Sequence, residues 1–167
     1  VNQDSARLAD DFRAVFDELV GIVERCGDEQ WRSVPSNEQR SVAVLAYHVA
    51  VTQDAFYGIT ERLAAGETYS PTVGMDVIDR LNAEQAREHA GVEKSVVVET
   101  LRAQAEAGER QIRALTGEDL SRGAGVYGGN ELTVGQVVEW ITIGHAREHL
   151  GSIRSALLDD RNGRRAA

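Results

Sequence analysis

An all-α four-helix bundle, with crossover connections and a short extra helix before the third long one, is the fold this sequence predicts. Three observations predict it. Four segments place apolar residues at helical spacing, each as one narrow seam. The only two prolines, Pro35 and Pro71, fall between those segments, so the strongest helix breaker is absent from their interiors. No stretch shows a convincing strand alternation. Helices with one apolar stripe each must bury it against one another, and a bundle is the economical packing.

The first helix is expected from about Ser5 to Cys26, with Leu8, Phe12, Val15, Leu19, Ile22 and Cys26 in alternating steps of four and three. The segment GDEQWRSVPSNEQR then reads as a loop anchored by Trp31. The second helix begins after Ser41, a plausible N-cap, and runs to about Ala65, where Gly66 supplies a stop. Its inward row is read as Val44, His48, Val51, Ala55 and Ile59. After the loop GETYSPTVG, a short helix spans Met75 to about Ala90 and is interrupted by Gly91. The third long helix, about Ser95 to Leu115, carries Val97, Leu101, Ala105, Gly108, Ile112 and Leu115 on one stripe. TGEDLSRGAGVYGGNEL reads as a flexible connector. The fourth helix starts at Thr133 as N-cap and ends near Leu158, before the polar tail DDRNGRRAA.

At 167 residues, 42% hydrophobic and 27% charged, the chain reads as one globular domain, 1–167, with its core at about 5–158. A net charge of -9 without a basic run argues against nucleic-acid or anionic-membrane partners and suits work on small molecules. The one cysteine, Cys26, cannot pair internally and lies on an apolar row, as an inert core residue would. With a polar N-terminus and no apolar run of membrane-span length, a cytoplasmic protein is expected.

Function is carried by histidine. His145-Ala-Arg-Glu148-His149 has the letters of an H-x-x-E-H zinc peptidase motif. Val134, Val138, Ile141, His145, His149 and Ile153 share one helical face at about 100° per residue, and His48 sits in the seam of the second helix. One core histidine is ordinarily a satisfied neutral imidazole. Three bury ring nitrogens that all need partners, and one divalent cation satisfies them together. The i, i+4 pair with a third ring from a facing helix leaves positions open for water or substrate, as in a catalytic site. Three imidazoles accept zinc, nickel, iron, copper or cobalt. The peptidase reading lacks parts. Only Asp159 and Asp160 follow as acids, and Glu148, about 100° round from His149, reads as a helix-surface residue. His89 has polar neighbours and reads first as a surface histidine outside the site, and only secondarily as a residue behind the ligands or at the entrance.

The placement of His48 in AYHVA, with His145 and His149 in GHAREHLGSI, resembles the DinB-like/YfiT-like four-helix bundle metalloprotein superfamily. MDVIDRLNAEQAREHAGV is similar to the connecting region of its mycothiol-dependent maleylpyruvate isomerase-like branch. The resemblance covers about Leu8 to Leu158. It implies an antiparallel bundle with a crossover and a divalent metal on three histidines, zinc or nickel foremost, with iron, manganese and cobalt behind. It also implies homodimers in many members, and thiol-dependent chemistry: S-transferases using mycothiol, bacillithiol or related low-molecular-weight thiols, and a mycothiol-dependent isomerase. The isomerase branch often replaces one metal histidine by a carboxylate. This chain keeps histidine at all three positions, which points away from isomerisation and towards thiol transfer to small electrophiles. Metal-dependent hydrolysis of a small molecule, or a non-catalytic metal-binding stress or interaction protein, are the alternatives.

Other features carry less. Tyr127, in SRGAGVYGGN, offers a phenol that could polarise a substrate, although a loop aromatic is the plainer account. An anionic thiol or carboxylate substrate would want a cation, for which Arg154 and Arg87 are candidates, as are Arg147 and Arg80. Packing is the default account of Trp140 and Tyr47.

Overall fold

The structure, a computed structural model, describes residues 3–68, 74–127 and 130–165. Four long rods form the expected bundle: α1 (Gln3–Arg25), α3 (Val42–Ala64), α5 (Lys94–Ala114) and a C-terminal rod made of α7 (Val134–Gln136), a π-helical stretch Val137–Ile143, and α8 (Gly144–Arg165). Between them lie α2 (Asp28–Arg32), α4 (Met75–Glu88), α6 (Gly117–Ser121) and a hairpin of β1 (Gly123–Tyr127) and β2 (Asn130–Thr133). Both α1 and α3 pack against α5 and against the C-terminal rod, so the ring order is α1–α5–α3–α8. The sequence neighbours α1 and α3 therefore face each other diagonally, the crossover that their long connection allows. Among the described residues no helix is long and apolar enough to cross a membrane.

Local chemistry sets the ends of the rods. Ser41 caps α3 by accepting the Val44 N–H at 3.3 Å, and Gly66 ends it with φ at 87°, a conformation that favours glycine. Thr133 and Gln136 close a capping box at the C-terminal rod: Gln136 N–H donates to Thr133 Oγ1 and Thr133 N–H to Gln136 Oε1. The expected stripes of α1 and α5 are buried except at Ile22, which is half-buried, with Phe12 stacked on Phe16 at 4.4 Å in the centre of the core. Trp31 is buried as the anchor of its connection and donates its indole N–H to Val92 O at 3.2 Å.

Five sequence expectations need correction. The segment around Trp31 holds a helical turn, α2, and the glycine-rich connector folds as α6 followed by an antiparallel hairpin. That hairpin has little strand alternation to read; Ala124 and Leu132 seat it against Leu63, Val134 and Val137 in a small second core. The inward row of α3 runs through Val42, Leu45, Val49 and Gln53, with Ala55 exposed and Val51 only half-buried. The fourth helix does not stop near Leu158, because backbone helix continues to Arg165. Trp140, given a packing role above, is 55% exposed.

Candidate metal centre

His48 projects from the second turn of α3, and His145 and His149 lie one turn apart at the start of α8. Just before them the rod is π-helical. Its i→i+5 hydrogen bonding, such as Gly144 N–H to Glu139 O, advances the chain less per residue than an α-helix does and so turns the following face. The consequence is visible in burial. Thr142, Ile143, Ala146, Leu150 and Ile153 form the packed row, Ile141 is half-buried, and the two histidines sit beside that row facing α3.

The three rings converge. His48 Nε2 and His145 Nε2 are 3.2 Å apart, and one ligand atom from each histidine lies within 4.8 Å of the others. Ring centroids are separated by 5.1 Å for His48–His145, 5.2 Å for His48–His149 and 4.7 Å for His145–His149. His48 and His149 are buried, and the edge of Phe56 covers His145 with centroids 5.2 Å apart. Burial first, and then the neighbouring His149 and His48 and the Arg40 guanidinium, push the His145 pKa down to about 3. Burial, His48 and Arg40 push His149 down to about 4. Burial also lowers His48. All three are therefore neutral at pH 7, the form in which imidazole offers a lone pair to a cation.

Two residues that the sequence reading missed stand against this arrangement from outside, and one of them bonds to it. Gln85, on α4, accepts from His48 Nδ1 at 2.9 Å; a proton fixed on Nδ1 leaves the lone pair on Nε2, facing His145. Glu38 places Oε1 3.6 Å from His149 Nδ1 and accepts a bond from Arg40 at 3.2 Å. That 3.6 Å is beyond hydrogen-bond reach, and the buried Nδ1 atoms of His145 and His149 have no protein partner. Neither residue carries a sequence signal of its own, since each lies in a polar stretch and reaches its histidine across the fold.

The donor set fits a divalent metal. Three neutral imidazoles that repel one another when protonated, and that lack bonds enough for their buried nitrogens, are what one cation would reconcile. Gln85→Leu is expected to weaken zinc binding about 10–100-fold, because His48 loses the bond that sets its tautomer. Gln85→Glu keeps an acceptor and should retain most of the affinity. Competition against a chelating dye reads both.

A family model described as the DinB superfamily matches residues 11–153. The chain belongs to the DinB superfamily. The match begins in α1 and ends in α8, so this DinB domain includes all four long rods and all three histidines. Comparison with curated proteins and with solved structures found no match.

The remaining candidates are placed as follows. Glu148 is exposed and does not join the three rings, which leaves the peptidase letters without their acid. Arg154 pairs with Glu18 and Arg147 lies 3.7 Å from Asp11, both acids of α1, so neither turns to the centre. Arg87 and Arg80 are exposed on α4, and Arg87 lines a groove beside Arg40. Tyr127 lies in β1, but its side chain is outside what the structure describes. His89, at the end of α4, stacks on Tyr47 at 4.2 Å and bonds Gln85 O at 3.1 Å, which pins α4 to α3 next to the centre.

Proposed function

We propose that this protein is a divalent-metal enzyme that transfers a low-molecular-weight thiol, of the mycothiol or bacillithiol type, to small electrophiles. One observation supports it above the rest. Three neutral imidazoles converge, two of them buried and His145 half-buried, and among the described residues no fourth His, Cys, Asp or Glu joins them. A site with three protein ligands keeps positions for exogenous groups, whereas a structural site closes with four. His48, His145 and His149 would hold the ion, zinc or nickel foremost. Bound there, it would supply the positive charge that keeps a thiol as thiolate at neutral pH.

The chain's own residues do the rest. Gln85 keeps the His48 proton on Nδ1, and Phe56 shields His145 from water. The thiol has to come from outside the chain, because the only cysteine, Cys26, is buried in the core. In the reaction the thiol sulfur bonds to an electrophilic carbon, the leaving group departs with its electron pair, and the thiol proton goes to solvent. A cytoplasmic setting, where such thiols stay reduced, and a homodimeric state belong to the same proposal.

The test mixes zinc- or nickel-loaded protein with mycothiol or bacillithiol and a chlorobimane, and follows the fluorescent conjugate. The expected result is roughly a tenfold or greater acceleration over the uncatalysed reaction, abolished by a chelator. Loaded protein that accelerates conjugation of neither thiol would overturn the assignment.

A further inference from the structure

Two confluent clefts, of about 490 and about 520 Å³, run between α4 and the chain leading into α3. They share Gln39, Arg40, Ala86 and Arg87 as walls. The second is lined by Arg32, Arg40 and Arg87 with no aspartate or glutamate, whereas Glu38 and Asp79 also line the first. In a chain with 27 acids against 18 bases, three guanidinium groups around one cleft run against the composition. Arg102, Arg113 and Arg154 each close onto a carboxylate, whereas among the described residues Arg32 and Arg87 form no ion pair. Arg40 does form one, with Glu38, which itself accepts no other arginine.

Three like charges held around one cavity repel one another unless an anion sits among them. Guanidinium groups bind carboxylate and phosphate oxygens through paired N–H donors, and Gln39 and Ser41 add neutral polar groups to the same walls. Val44, Ala86 and Ala90 supply an apolar side for a carbon chain. The groove also adjoins the histidines: its wall residue Glu38 stands 3.6 Å from His149, and Val44 lies one helical turn before His48.

We infer that this groove is an oxyanion-binding subsite, in which Arg32, Arg40 and Arg87 hold a carboxylate or phosphate on the small molecule processed at the three-histidine centre. The inference rests on the proposed function for the other end of that molecule, but the binding of the anion does not. Arg32 and Arg87, which form no ion pair among the described residues, supply charge at the surface. Arg40, tied to Glu38, carries the link to His149.

Isothermal titration of zinc-loaded protein with succinate, inorganic phosphate and the neutral diamide succinamide tests this, with zinc content measured on each sample. Succinate or phosphate should bind and succinamide should not, and the anion that binds more tightly identifies the group preferred. Arg32→Gln and Arg87→Gln should each weaken that anion about tenfold, with zinc content unchanged, while Arg102→Gln on the far pairing with Glu24 should have no effect. Equal binding of succinamide, no binding of either anion, or indifference to both arginine substitutions would overturn the subsite. Anion binding that survives in protein unable to hold zinc would leave the subsite standing and remove the metal-enzyme reading alone.

Discussion

His145→Ala is expected to lose stoichiometric metal. Structural zinc sites with four ligands bind with about 10–16 kcal/mol, roughly 3 kcal/mol or more per ligand, so deleting one of three should cost at least about two orders of magnitude in affinity. His145 is the most telling choice of the three. Its Nε2 faces His48 Nε2 at 3.2 Å, so its removal opens the middle of the cluster and not its rim. Equilibrium dialysis against zinc followed by metal analysis reads the result directly; full loading of the variant would remove the three-histidine assignment. The variant should also change how the metal-free protein responds to acid. The folded-state pKa values lie at about 3 for His145 and about 4 for His149, below the ordinary histidine value near 6.5. Between those limits the unfolded chain binds more protons than the folded one. Stability is therefore complete above about pH 6.5 and falls as pH drops towards about 4 and 3. Without His145 one of these proton uptakes disappears, and the fall in urea midpoint over that window should be shallower than in the parent.

The convergence of the three histidines could be read from the sequence because helical phase is a local property. His145 and His149 are four residues apart, which fixes them on one side of one rod whatever that rod packs against. His48 needed more, namely a correct guess that α3 turns that side inward. Here the reading succeeded for the histidine and for Val44 and failed further along the row, where Val51 is half-buried and Ala55 exposed. The run VAVLAYHVAV is apolar almost all the way round, so several phases fit it equally well, and burial of Val42, Leu45, Val49 and Gln53 is settled by α5 and α8 rather than by the pattern. The π-helical stretch hid for a different reason. Nothing in VVEWITI announces i→i+5 bonding, and a uniform turn of about 100° per residue carried through it places Ile141 inward, where Thr142 and Ile143 are found. Gln85 and Glu38 lie beyond any local pattern, being 37 residues from His48 and over a hundred from His149 in the chain. Long-range polar contacts of this kind are created by the crossover, and only the folded bundle reveals them.

Gly108→Ala is expected to destabilise the bundle, and Gly58→Ala to stabilise it, although the two exchanges are chemically identical. In a helix interior the added methyl is intrinsically favourable by about 0.8–1.0 kcal/mol, through the unfolded-state entropy it removes. At Gly58, on α3, no atom lies within 4 Å of the new Cβ, so that gain stands and the melting temperature should rise by a few degrees. At Gly108, on the buried stripe of α5, the same atom would overlap the Phe12 ring and come within 2.5 Å of the Tyr57 hydroxyl. Neither neighbour can withdraw cheaply. Phe12 is fully buried and stacked on Phe16, and Tyr57 is tethered by its hydroxyl to Gln104 O at 2.8 Å. Overpacking of this kind costs about 1–3 kcal/mol, enough to cancel or exceed the helical gain and leave a net loss of up to about 2 kcal/mol. Gly108 thus sets how closely α5 approaches α1 and α3, the two rods that its packing joins across the bundle. Urea denaturation of both variants decides the point: if Gly108→Ala proves as stabilising as Gly58→Ala, the three rods are not in contact there, and the ring order that brings α3 and α8 together around the histidines loses its support.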